Sequence, residues 1–271
     1  MASVCRTAAE NHCVSCPGLC CSRNLVNLCG YDIWTIARQL EIEPTSFVSF
    51  AQISEQSPYN FRLDDSEAAY CPSLYMKEQP YASRRCVFLM ELPNHLVRCG
   101  IYSLRPIACR AYPLALVEDA VVVKPWAMCP EMRMALNQTD VAYWHAELAR
   151  HDMEFSIYVL IVTSWNSVVM KMPTSEQLDF RPFLNFLMNV YRKLELVRVK
   201  VPEMEWPGIW HHWRRFTSKG INPLSLEIGR TQGPKYWGQW LLGIREVVTE
   251  STQGIESNNK GLEKSPLEML A

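Results

Sequence analysis

The sequence predicts an α+β chain that is predominantly helical. Three observations predict it: one clear hairpin pattern in residues 114–123, helical stretches near 32–39, 139–170 and 175–197, and the confinement of every cysteine to the N-terminal half. The loss of cysteine after about residue 135 divides the chain into a cysteine-rich metal-binding region (1–135), a helical Trp-rich extension (136–250) and a polar tail expected to be disordered (251–271).

Taken in order, Asp32 to Gln39 reads as a helix with Asp32 as a candidate N-cap. Pro44-Thr45 followed by SFVSFA suggests the start of another helix. Residues 54–85, with Pro58, Pro72 and Pro80, read as loops with short strands. Leu114 to Val117, the turn Glu118-Asp119 and Ala120 to Val123 form the hairpin pattern. Thr139 or Asp140 can cap a helix running towards Met170. A further helix fits Ser175 to about Val197, where Phe183, Leu184, Leu187, Val190, Tyr191 and Leu194 recur at helical spacing. Pro182 marks a kink or a restarted N-terminus there.

Composition excludes several classes. With 48% hydrophobic and 20% charged residues the chain is not disordered, and 11 Gly with 17 Pro exclude a collagen-like repeat. The 27 basic and 28 acidic residues leave a net charge of −1, so no global field draws the chain to nucleic acid or acidic lipid. The start MASVCRTAAENHC has no apolar run after a basic segment, which argues against a secretory leader. The best membrane-span candidate, Phe155 to Met170, is short and interrupted by Ser156, Thr163, Ser164, Asn166 and Ser167. A cytoplasmic location is therefore expected, where clustered cysteine favours metal ligation over disulfides.

Eleven Cys is a high count for 271 residues, and they cluster. Cys13-Val-Ser-Cys16 has the spacing that lets two thiolates converge on one ion from a tight turn, and Pro17-Gly18 keeps the next backbone in a turn. Cys20 and Cys21 are adjacent, so their side chains are expected to diverge, hinting at two metals or two faces of one polynuclear cluster. A second group comprises Cys86, Cys99, Cys109 and Cys129. Pro106 suits the first turn of a helix carrying Cys109, and Pro113 ends it. Arg105 and Arg110 lie beside these thiols in sequence and can offset a net negative site. Eight thiols suit two four-coordinate sites. Cys5, Cys29 and Cys71 read instead as small buried apolar residues.

The CxxCxxxCC start, followed by CxFL and CxIYxxRPxxCRxYP, resembles the cysteine-cluster family of zinc- or iron-chelating domains, which includes YkgJ-type proteins and flagellin lysine N-methylase. The resemblance covers Cys13 to Cys129 and implies Cys13, Cys16, Cys20, Cys21, Cys86, Cys99, Cys109 and Cys129 as ligands of zinc or an iron–sulfur cluster. Tyr102, Arg105, Pro106, Arg110, Tyr112 and Pro113 match its second motif. It implies, for some members, methyl transfer to protein lysine, hence a protein substrate and S-adenosylmethionine. Arg105 and Tyr102 are then candidate catalytic residues, and Arg110 and Tyr112 candidate cofactor contacts. No glycine-rich turn supports S-adenosylmethionine binding, since no GxG occurs. The alternative is an interaction module stapled by structural zinc.

His12 adjoins Cys13, but a solvated neighbour is the plainer reading. His145 and His151 fall on different helical faces. Trp206, Trp210, Trp213, Trp237 and Trp240 interleave with Arg192, Lys193, Arg198, Lys200, Arg214, Arg215 and Lys219. That mixture can bind single strands or lie on a membrane, yet packing of a helical subdomain is preferred.

Overall fold

Chain contacts divide the molecule into two units, residues 1–50 with 72–153 and residues 51–71 with 154–271. The structure, a computed structural model, describes residues 18–54, 57–78, 84–93, 97–128, 141–171, 179–217, 219, 223 and 233–262. Helix dominates and the strands pair only in twos, the α+β arrangement expected. The described cysteines other than Cys71 fall in the first unit.

The first unit begins with the short helix α1 (Leu19–Arg23) and the longer α2 (Gly30–Leu40), which buries Ile33, Trp34, Ile36 and Ala37. The helix expected after Pro44 is instead a 3-10 turn, Pro44–Ser46, leading into strand β1 (Val48–Ile53). Pro in a first turn suits either outcome. The β-branched and aromatic residues that follow find a partner in β2 (Ala69–Leu74), and Ser49 Oγ meets Ser73 Oγ at 3.0 Å. Both strands have residues in each unit. Three antiparallel pairs complete the strands: β3 (Met76–Glu78) with β4 (Arg84–Cys86), β5 (Leu89–Glu91) with β6 (Val97–Cys99), and β7 (Leu114–Val117) with β8 (Ala120–Val123). The last is the hairpin expected. Glu118 and Asp119 both take positive φ, as a two-residue turn requires. Between β6 and β7 lies helix α3 (Ile107–Ala111). Ala111 and Leu114 pack with Trp144 and Leu148, near the start of helix α4 (Val141–Val169). The cap positions Thr139 and Asp140 lie outside the described residues.

The second unit is built on the later part of α4, helix α5 (Phe180–Arg198), helix α6 (Trp206–Thr217) and helix α7 (Trp237–Leu262). Asp179 caps α5 by accepting from the Phe180 N–H at 2.6 Å, so Pro182 sits harmlessly in the first turn. The positions read from helical spacing are all buried. Phe183 stacks on Phe61 with ring centroids 3.7 Å apart, and Trp165 meets Phe183 edge-on. Trp213, Trp237 and Trp240 are almost wholly buried, so these aromatics serve packing. Helix α7 runs into the stretch whose composition suggested a disordered tail; Ser251 is buried and Thr252 Oγ1 donates to Val248 O. Among the described residues no helix is long and apolar enough to cross a membrane.

Helices α5 and α7 approach closely at Gly243, where an added Cβ would collide with Val197. Gly243→Ala gains about 1 kcal/mol of helix propensity. Overpacking against the stiff β-branched Val197 costs about 1–3 kcal/mol. The variant is therefore expected to melt below the parent in a thermal scan, and a higher melting temperature would contradict this crossing.

Candidate metal centre

The thiols are presented by four elements of the first unit. Gly18 opens α1 with φ 78, a left-handed conformation natural to glycine, and any Cβ there would sit 2.9 Å from Val97 Cγ2. That turn delivers Cys20 and Cys21 onto α1, which packs against β4. Cys86 ends β4, Cys99 ends β6, and Cys109 lies mid-way along α3. All described cysteines are free thiols.

Adjacent side chains on a helix point apart, yet the Cys20 and Cys21 sulfurs lie 3.9 Å from each other. Two thiolates about 2.3 Å from one tetrahedral ion are about 3.8 Å apart. The pair thus suits a single ion, contrary to the divergence expected from their adjacency. Backbone N–H groups of Phe88 and Leu89 donate to the Cys86 sulfur, which favours its thiolate.

The thiols feel one another's charge. The hydrogen bond from Cys21 lowers Cys20 to about 7, against desolvation, and the Arg105 charge assists. Cys21 is driven far up because its proton is held by Cys20, and burial and the charges of Cys20, Cys109 and Cys86 add to this. Burial raises Cys86, with Cys99 and Cys20 contributing. Burial pushes Cys109 well up, and Cys20, Cys86, Asp32 and Cys99 add to it. Partly buried thiols that share protons and feel one another's charge are a donor set that a thiophilic cation neutralises, so the residues present fit zinc or iron. Among the described residues, no three His, Cys, Asp or Glu side chains are already arranged around one ion. Cys13, Cys16 and Cys129, and also Cys5 and His12, lie outside the described residues.

The remaining candidates have structural partners. The Arg105 guanidinium lies 3.9 Å over the Tyr102 ring, and its Nε donates to the Tyr102 carbonyl at 3.1 Å. Arg110 donates to Glu147 at 2.7 Å. Arg150, also near Glu147, donates to the Tyr31 hydroxyl at 2.9 Å. The Tyr112 hydroxyl accepts from the Met128 N–H at 2.7 Å, anchoring the residue that precedes Cys129 in sequence. Cys71 is buried, and desolvation raises it to about 11. His212 is buried beside Trp237 and Phe216, and desolvation lowers it.

Cys29 and Asp32 differ from expectation. Cys29, not Asp32, is the N-cap of α2, and Asp32 is the N3 partner of a capping box. Asp32 Oδ2 accepts from the Cys29 N–H at 3.2 Å and from its thiol at 3.3 Å. Asp32 Oδ1 accepts from the Ile107 N–H at 2.8 Å. The C-x-x-D spacing at 29–32 is the sequence signal for this box, with sulfur in place of a hydroxyl.

Burial raises Asp32 from 3.8 to about 6, overriding the N–H donors of Ile107 and Cys29, the Cys29 thiol and the His151 charge. A pKa raised on folding stabilises the protein at low pH. This contribution is full below about pH 4 and is lost as pH rises through about 6; two units correspond to about 3 kcal/mol. Urea denaturation from pH 4 to 7 is expected to show this decline in the parent and not in Asp32→Asn. Equal slopes in the two proteins would contradict it.

A family model described as "Putative zinc- or iron-chelating domain" (CxxCxxCC) matches residues 12–132. No curated protein and no solved structure matches the chain. The matched stretch contains Cys13 through Cys129, the segment whose motifs carried the resemblance. Over those residues the chain is thus similar to cysteine-cluster domains of the zinc- or iron-chelating type.

Proposed function

We propose that this chain is a metal-chelating protein whose thiols Cys13, Cys16, Cys20, Cys21, Cys86, Cys99, Cys109 and Cys129 hold zinc or an iron–sulfur cluster. The observation that supports it is the gathering of thiols from α1, β4, β6 and α3 in one unit, with Cys20 and Cys21 at the spacing of two ligands on one ion. When bound, iron would supply electron transfer and zinc a structural or Lewis-acid centre. The residues Arg105 and Arg110 stand in different roles. Arg105 places positive charge near Cys20, whereas Arg110 is taken up by Glu147. Anaerobic purification with metal analysis and an absorption spectrum tests the reading. A brown protein with a broad visible band means iron–sulfur, a colourless one carrying zinc means a zinc site, and a metal-free folded protein overturns the proposal.

A second reading makes the chain an enzyme, performing a redox step or methyl transfer to a protein lysine. Arg105 stacked on Tyr102 beside Cys20 favours it, because a fixed guanidinium next to a metal centre can dock a carboxylate of substrate or cofactor. Arg105→Gln and Tyr102→Phe separate chemistry from structure. Loss of S-adenosylmethionine or substrate binding with metal content and melting temperature intact supports the enzyme. Loss of metal and fold together, in a parent without affinity for the cofactor, leaves structural zinc and an interaction module.

A further inference from the structure

The thiol-bearing helix α3 is only five residues long and cannot hold its own position. Its start is fixed from outside by one carboxylate. Asp32 lies on α2, distant in sequence, yet its Oδ1 takes the N–H of Ile107, the first residue of α3. Its Oδ2 is engaged by Cys29, the N-cap of α2. One buried side chain, 3% exposed, thus caps two helices at once. Cys109 lies one half-turn beyond Ile107 and within electrostatic reach of the same carboxylate. The other flank of α3 is held where Arg110 meets Glu147, so rotation of the helix is restrained from two sides.

We propose that Asp32 is a positioning residue for the metal site, setting the depth and rotation of α3 so that Cys109 points at the same ion as the thiols of the other elements. This rests on the metal-chelating reading above. Carboxylates that orient ligands through intermediate groups typically contribute 10- to 100-fold in metal affinity. Here the intermediate is a peptide N–H at the head of the ligand's helix. Asp32→Asn keeps an oxygen for Ile107 but replaces the acceptor used by Cys29. Asp32→Ala removes both.

The test uses the full-length apoprotein, titrated with Co²⁺ under anaerobic conditions and competed with a chelator. The sulfur-to-cobalt charge-transfer band counts thiolates on the ion. Asp32→Ala is expected to lose about 10- to 100-fold in Co²⁺ affinity, with a weaker charge-transfer band per cobalt, and Asp32→Asn about 10-fold. Ile36→Ala, which cuts a fully buried side chain from the same helix without touching the cap, controls for lost stability and is expected to keep the band. If Asp32→Ala fails to fold, Asp32→Asn carries the comparison. A parent with a strong band and an Asp32→Asn variant matching Ile36→Ala in affinity and band overturns the positioning role alone. A folded parent with no thiolate band overturns the metal reading itself, and the positioning role with it.

Discussion

Replacing Cys109 by Ser is expected to lower bound metal to about half the parent's content, because the eight thiols proposed as ligands make two four-coordinate sites and one of them loses a ligand. The fold should suffer as well. A structural zinc contributes about 10–16 kcal/mol of folding free energy, so a site emptied of its ion loses a contribution on that order and the variant should melt well below the parent. Cys71→Ala is the matched control. Cys71 is likewise a thiol raised by burial, but it belongs to the second unit. Its metal content should equal the parent's. Equal metal in Cys109→Ser and Cys71→Ala would remove Cys109 from the site.

Arg198→Ala is expected to cost about 3–5 kcal/mol, read as a shifted urea midpoint, because it strands a buried carboxylate. Both Arg198 nitrogens reach Glu154 at 2.6 Å, the Glu154 side chain has no exposure, and the guanidinium also lies over Trp240. Arg198→Lys keeps the charge and loses the two-pronged geometry, so it should fall between parent and Ala. Replacing both partners by apolar residues, Glu154→Leu with Arg198→Met, should recover most of the loss. A loss below 1 kcal/mol in the single variant would mean that water reaches Glu154.

Much of this architecture is legible residue by residue, and its gaps have physical causes. The β7–β8 hairpin can be read because Glu118-Asp119 stands between two apolar runs of equal length. Helix α5 is legible because its apolar side chains share one face, and the aromatic rings of Phe61 and Trp165 meet that face. Pro44 to Phe50 misleads because proline opens a 3-10 turn as readily as an α-helix, and only pairing with the distant β2 decides for a strand. Asp32 looks like an ordinary local cap. Its bond to Ile107 depends on tertiary packing that no local pattern records. Cys20 and Cys21 misled in the opposite sense, since adjacency on a helix sets side chains apart, whereas the two sulfurs lie 3.9 Å from each other.

The sharing of metal by these thiols is open to direct measurement. X-ray absorption at the metal edge of anaerobically purified protein addresses it most directly, because it counts and identifies the atoms bound to the ion. The predicted result is a shell of four sulfurs at about 2.3 Å around each zinc or iron, reduced in sulfur count by Cys20→Ser and by Cys109→Ser. A shell of nitrogen and oxygen near 2.0–2.1 Å, unchanged by either replacement, would contradict it.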